Sequence, residues 1–223
     1  MTPEWGWLVV WGAIVSLDLV SVGQFMLARP LVAGTVAGVI LGDPLAGGTV
    51  GAILELFALD VLPIGGVRYP DYGVGAVAAA ATAAGAPGAL GTGIAVCTGL
   101  VVAYVGEWVM LVVRQANTAD VRRHREALDA GHPPTIAAVH VRGLGRDLVR
   151  SVVLTVGGLA LAAAVHRWPP VDEVRGAVLV GIVVIGAGLG AATAGVLRAV
   201  GQTVTVRWFG LGLIVGVIWT FSQ

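Results

Sequence analysis

Hydrophobic positions fill most of this chain, and short polar turns interrupt them at irregular intervals. Apolar runs of this length are typical of helices that lie in a lipid bilayer, because about 20 apolar residues span its hydrocarbon core. We therefore predict an all-α polytopic membrane protein with about six to eight hydrophobic helices in a single membrane domain, 1–223. The predicted helical runs are 5–27, 31–59, 72–113 (long enough for two spans, with a turn at 86–88), 152–165, 176–200 and 207–223.

The run 31–59 departs most clearly from a simple spanning helix. Gly34, Gly38 and Gly42 recur every four residues, which gives a helix one smooth face that another backbone can approach. The sequence Gly42-Asp43-Pro44 then favours a turn, because proline cannot continue the helical hydrogen bonding. Each half is shorter than the ~20 residues of a full span. This pattern predicts a re-entrant or broken-helix hairpin over 31–59, and one long kinked helix is the alternative.

Composition excludes an ordinary soluble domain. Hydrophobic residues make up 57% of the chain, charged residues only 12%, and the mean hydropathy is +0.91. The formal net charge is zero, so nothing indicates a nucleic-acid partner. Seven of the 13 arginines lie in 114–150, which the positive-inside rule assigns to the cytoplasm as a polar loop. We expect this loop to contain a short solvated helix, 120–128, that ends at His132-Pro133-Pro134.

Polar side chains inside or beside apolar segments are the candidates for a ligand site. A carboxylate in mid-membrane costs roughly 2.5–3.5 kcal/mol, so it should face the protein interior or a cavity. Such groups suit the hydroxyls of a sugar, but they suit proton relay or cation binding equally well. Arg68 and Asp71 lie close enough in the sequence to pair with each other. The candidates are Asp18, Gln24, Asp43, Glu55, Asp60 and Asp71.

No motif in the sequence carries catalytic chemistry. The chain has no nucleophile elbow, phosphate-binding loop or paired-cysteine motif. Cys97 is a lone cysteine in an apolar run, and the eight-residue spacings of His124, His132 and His140 match no metal-ligand pattern. We predict no catalytic residue, no cofactor and no metal site.

Several elements of 29–75 together resemble one known family. These are Arg29-Pro30, the glycines leading to Gly42-Asp43, Gly51-x-x-Leu54-Glu55, Pro63-Ile64-Gly65 and Pro70-Asp71. They occur in order in subunit IIC of the mannose/fructose/sorbose-class permeases of the bacterial sugar phosphotransferase system (PTS), which this chain resembles.

The resemblance implies a hexose permease subunit in the bacterial inner membrane. Such a subunit works in the lipid bilayer with a membrane subunit IID, while cytoplasmic IIA and IIB subunits carry the phosphoryl group. Glu55 and Asp43 match signature positions, which implies that they lie at or near the sugar path. In relatives the segment before Arg29-Pro30 is commonly more polar than here, where it retains Gln24. The predicted sugar-binding set is Glu55, Asp43, Gln24, Asp71 and Asp18.

Three alternatives accompany this prediction. Glu55 would have a structural role if it formed an ion pair with Arg29 or Arg68. The whole chain would have a different function if it were an ion- or proton-coupled secondary transporter, or a non-transporting membrane scaffold. A homo-oligomer is compatible with each of these interpretations.

Overall fold

The protein is described by a computed structural model that covers residues 3–59, 67–86 and 88–167, with the single positions 183, 186 and 188. This part of the chain contains seven helices and no strand, which confirms the all-α prediction. The predicted runs 176–200 and 207–223, Asp60 and Pro63-Ile64-Gly65 lie outside the described residues, apart from those three positions. The helices are α1 (Pro3–Val20), α2 (Pro30–Leu41), α3 (Pro44–Ala58), α4 (Tyr72–Ala84), α5 (Ala89–Arg123), α6 (Arg125–Asp129) and α7 (Pro133–His166).

Three of the described helices are long and apolar enough to cross a membrane. They are α1, most of α5 and α7. The other apolar helices, α2, α3 and α4, have 12, 15 and 13 residues and are shorter than a span. Short apolar helices of this kind are stable in a membrane only where protein or a water-filled cavity surrounds them.

Helices α2 and α3 form the predicted hairpin (31–59). Gly42 ends α2 with φ = 80°, a left-handed conformation that glycine adopts without strain. Asp43 then caps α3, because its carboxylate accepts a hydrogen bond from the backbone N–H of Ala46 at 2.9 Å. The two helices pack against each other, which excludes the single kinked helix.

The glycine faces of the hairpin are in contact, as the spacing predicted. A Cβ added at Gly34 would lie 2.7 Å from the carbonyl oxygen of Gly47, and one added at Gly38 would lie 2.5 Å from that of Asp43. At Gly51, an added Cβ would lie 2.6 Å from the carbonyl oxygen of Pro30. Because these neighbours are backbone atoms, a larger residue at any of these positions would force the two helices apart.

Helix α4 is the centre of the described structure. All its residues from Tyr72 to Ala83 are buried, and it packs against α1, α2, α3, α5 and α7. Its alanines and glycines allow these neighbours to approach closely. A Cβ added at Gly75 would lie 2.5 Å from the carbonyl oxygen of Gly99 on α5. A helix buried on every side needs no polar face, which explains its uniformly apolar sequence.

The segment 114–150 is not the loop that we expected. Helix α5 continues to Arg123, so Asp120 belongs to it, and the separate helix is the short α6. Pro133 and Pro134 do not end a helix here but begin α7, since proline is tolerated in the first turn, where backbone N–H groups lack partners. The predicted helix 152–165 is the second half of α7. We call this helical hairpin of residues 114–150 the arm.

Candidate functional site

A buried network of charges joins α1, α4 and α7 around Arg150, a residue of the predicted polar loop. Arg150 donates from Nε to Asp147 at 2.7 Å and from Nη1 to Asp71 at 2.9 Å. Its Nη2 donates to the hydroxyl of Ser16 at 2.7 Å, and that hydroxyl donates to Asp71 at 2.7 Å. The side chain of Arg150 is only 1% exposed. This Arg150 network therefore holds two buried carboxylates and one buried cation.

Asp71 serves two structural purposes at this point. It caps α4 by accepting from the backbone N–H of Val74 at 3.2 Å, and it receives the charge of Arg150. The predicted pairing of Asp71 with Arg68 is wrong. The guanidinium of Arg68 instead lies 5.9 Å from the centre of the Trp108 ring, as in a cation–π contact. Arg150, 79 residues away in sequence, reaches Asp71 only because α7 packs against α4.

Asp18 organises the connection between α1 and α2. Its buried carboxylate accepts hydrogen bonds from the backbone N–H groups of Phe25 at 2.7 Å and Ala28 at 3.2 Å. Within this loop, Gln24 and Met26 adopt positive φ angles of 55° and 65°, which side-chain-bearing residues rarely adopt. The carboxylate of Asp18 therefore helps to hold a strained loop (residues 21–29) in one conformation.

Glu55 forms an ion pair with Arg29, the residue before α2. Its other carboxylate oxygen accepts from the backbone N–H of Leu31 at 3.2 Å. The pair links the two helices of the hairpin and is partly accessible, with 33% of the Arg29 side chain and 17% of the Glu55 side chain exposed. Asp43 lies at the exposed turn of the same hairpin as a helix cap.

A polar cleft of about 510 Å³ lies where the end of α1 and the loop 21–29 meet the arm. Of the five predicted site residues, only Gln24 lines it. Apolar surface of the cleft comes from Leu19, Met110 and Val113. The polar side chains around the cleft are Ser21, Gln24, Arg114, Asn117, His140, Arg146 and Asp147.

Side chains of the arm fix the wall of the cleft. Asp120 accepts hydrogen bonds from Arg142 at 2.9 Å and from Arg146 at 3.1 Å. Arg146 also donates to the side-chain oxygen of Asn117 at 2.9 Å. These bonds connect α5 with α7 across the arm, so Asn117 and Arg146 have defined positions at the cleft.

The structure thus separates the predicted site residues. Asp71 belongs to the Arg150 network, Asp18 supports the loop that carries Gln24, and Glu55 and Asp43 lie on the hairpin. Sequence reasoning missed Asn117, Asp147 and Arg150. The i, i+3 spacing of Asp147 and Arg150 was a usable signal, because that spacing brings two side chains together on a helix. Among the described residues, no group of three His, Cys, Asp or Glu side chains is arranged to hold a metal ion.

Comparison with known proteins decides the family. The family described as the PTS system sorbose-specific IIC component matches residues 6–222. The chain belongs to this family. This confirms the resemblance carried by the motifs of 29–75, and the match extends far beyond them.

Individual relatives agree with this assignment. The mannose-specific EIIC component of Escherichia coli strain K12 is 29% identical over 133 residues, which are 60% of this chain and 49% of that protein. The match therefore spans about half the length of that relative. The sorbose-specific EIIC component of Klebsiella pneumoniae is 29% identical over 206 residues, 89% of this chain and 74% of that protein.

A solved structure shows the same fold. This IIC chain is similar to a chain in the structure of the mannose transporter ManYZ in complex with microcin E492, with a TM-score of 0.62 and 22% identity. The similarity covers all of this chain and 93% of the other. The arrangement of helices is thus shared with a membrane transporter.

Proposed function

We propose that this IIC chain forms a hexose path through the bacterial inner membrane together with a IID membrane subunit. Cytoplasmic IIA and IIB subunits would supply the phosphoryl group, so that uptake is coupled to phosphorylation of the sugar. The family match over nearly the whole chain is the observation that carries this proposal. The names of two relatives, one mannose-specific and one sorbose-specific, support a hexose as the substrate.

The chain's own chemistry suits a transport subunit without a phosphocarrier role. A phosphocarrier needs an activated nucleophile, such as a histidine or cysteine held beside a base. Cys97 lies in the apolar α5, and Asp120, the carboxylate beside His124, already accepts hydrogen bonds from Arg142 and Arg146. We therefore assign phosphoryl transfer to the partner subunits.

Uptake and phosphorylation of labelled mannose, fructose and sorbose test this proposal. The assay uses cells that lack their own hexose PTS permeases and produce this chain with its IID, IIA and IIB partners. We expect sugar phosphate to accumulate for at least one hexose, and only when both membrane subunits are present. Uptake that persists without a phosphoryl donor would indicate the alternative, an ion- or proton-coupled transporter. Absence of uptake for all three sugars would contradict the hexose proposal.

Glu55 remains a proposed sugar contact alongside its ion pair with Arg29. A carboxylate accepts two hydrogen bonds from neighbouring hydroxyls, and this one is partly exposed. Glu55→Gln separates the two roles. Since a third of the Arg29 side chain is exposed, water can solvate its charge once the carboxylate is lost, and we expect nearly normal membrane abundance.

Hexose uptake per inserted molecule should nevertheless fall with Glu55→Gln if the carboxylate binds sugar. Glu126→Gln, at an exposed position on α6, is the matched control and should change neither abundance nor uptake. Reduced abundance with normal uptake per molecule would show a structural role only. Normal uptake per molecule at normal abundance would contradict the proposed sugar contact.

A further inference from the structure

We propose that the cleft between the loop 21–29 and the arm is a binding site for a neutral hexose. In this proposal Gln24, Asn117 and Asp147 form the hydrogen bonds to the sugar. The proposal rests on the hexose permease function and assigns the sugar to a specific place in this chain. Its basis is the shape of the cleft, the unused hydrogen-bonding capacity of its walls and the pairing of its charges.

The cleft has the size and the mixed lining that a sugar requires. Its volume of about 510 Å³ lies within the roughly 300–1,000 Å³ range of small-molecule sites. A hexose presents C–H groups on its faces and hydroxyls around its rim. Leu19, Met110 and Val113 provide apolar surface for the former, while amide and carboxylate groups are available for the latter.

Two amide side chains at the cleft have donors to offer. The side-chain oxygen of Asn117 accepts a hydrogen bond from Arg146, and this bond does not use the amide N–H groups of Asn117. Gly143 faces this amide, and a Cβ added at Gly143 would lie 3.7 Å from the Asn117 side-chain nitrogen, so no side chain fills the space between them. Gln24 is exposed, and its amide has no hydrogen bond within the described part of the chain.

Asp147 supplies a carboxylate that two protein hydrogen bonds hold in position. One oxygen accepts from Arg150, and the other accepts from the hydroxyl of Ser21, the first residue after α1. Two carboxylate oxygens offer about four acceptor positions, so these bonds do not exhaust them. A sugar hydroxyl can replace the Ser21 hydroxyl as donor without any change in charge. Arg150 is therefore a positioning residue, and Asp147 is the group that contacts the sugar.

Three charged side chains at the cleft already bond to other protein groups. Arg146, the cation closest to Asn117, already donates to Asp120 and to the Asn117 side chain. Asp147 is paired with Arg150, and Arg114, which also lines the cleft, donates to the backbone carbonyl of Val67 at 3.0 Å. A neutral hexose can therefore bind through the amides and Asp147 without requiring an unpaired charge in the cleft.

Substitutions that remove amides but preserve shape test the site. Gln24→Met retains the length of the side chain, and methionine already occupies a positive-φ position two residues away in the same loop. Asn117→Leu removes the second amide, while Arg146 keeps its bond to Asp120. Gln115→Met is the matched control, because Gln115 is exposed on α5 and lies outside the cleft.

Binding of labelled mannose, fructose and sorbose is measured on membranes that contain the full chain with its partner subunits. Affinities refer to equal amounts of inserted protein. We expect Gln24→Met and Asn117→Leu each to weaken binding by about three- to tenfold, the loss expected for one ordinary hydrogen bond. Gln115→Met should bind like the unmodified protein.

The outcomes distinguish this inference from the proposed function. If the unmodified protein binds a hexose and both cleft variants bind it equally well, the cleft is not the sugar site and the permease function stands. If the unmodified protein binds none of the three hexoses, the proposed function fails and the sugar site fails with it. Should Asn117→Leu reduce membrane abundance, Gln24→Met alone decides the question, because among the described residues the Gln24 side chain has no hydrogen bond to lose.

Discussion

Replacement of Arg150 by methionine is the most informative perturbation of the described fold. The substitution preserves much of the side chain's volume but removes the cation from the Arg150 network. Two carboxylates, Asp71 and Asp147, then stay in a buried site with no positive charge, at 1% and 4% side-chain exposure. Removing one partner of a buried ion pair typically costs about 3–5 kcal/mol. This is a large fraction of the roughly 5–15 kcal/mol by which folded domains are stable.

We expect Arg150→Met to lower both the amount of membrane-inserted protein and the melting temperature in detergent. Arg122→Met is the control, since Arg122 is exposed on the arm and its loss should change stability by at most about 0.5 kcal/mol. Immunoblots of membranes and fluorescence-detected thermal melting provide the two measurements. Equal melting temperatures for the two variants would refute the reasoning that the Arg150 network needs its cation.

A double substitution tests the cause of the loss. Arg150→Met with Asp147→Asn leaves one uncompensated carboxylate instead of two, and Ser21 can still hydrogen-bond to the new amide. The double variant should therefore be more stable than Arg150→Met alone. If it is less stable, lost packing or hydrogen bonding, rather than unbalanced charge, dominates the effect.

Three further predictions concern the hairpin and the arm. Gly38→Leu should reduce membrane abundance on immunoblots, because the new side chain would meet the backbone at Asp43. Gly157→Leu on α7 is the control and should be tolerated, because no atom lies within 4 Å of a Cβ added there. Asp43→Ala should lower stability by about 0.5–2 kcal/mol through loss of the α3 cap, seen as a lower melting temperature, and an unchanged value would contradict the capping role. A Thr135→Cys variant should resist an impermeant thiol reagent in intact cells, since the arginine-rich arm is predicted to be cytoplasmic, and rapid labelling would reverse this topology.

Features that depend on local chemistry could be predicted from the order of the amino acids. Apolar composition identified a helical membrane protein, because only a hydrocarbon environment suits so few charges. The hairpin followed from four-residue glycine spacing and from Gly42-Asp43-Pro44, whose backbone preferences act within a few residues. The family motifs lie mostly in this same region, and their sequence order could be recognised there.

The boundaries of the arm were harder to predict because two local signals conflicted. Charged residues and prolines indicated a loop, yet the pairing of Asp120 with Arg142 and Arg146 stabilises two helices against each other. Those bonds join residues 22 and 26 positions apart. Local propensity contains no information about such pairs. Pro133 added to the error, because the same residue that ends a helix from within also begins one from its first turn.

The candidate site depended almost entirely on tertiary packing. Position near apolar segments and the family motifs indicate five polar residues as a sugar-binding set, but the role of each depends on which partner reaches it. Asp71 is paired with Arg150 because α7 packs beside α4, and this contact joins residues 79 positions apart. Asn117 and Asp147 meet Gln24 only where α5, α7 and the end of α1 enclose one cleft. A sequence specifies which groups need a partner, whereas the packing of helices decides which partner they find.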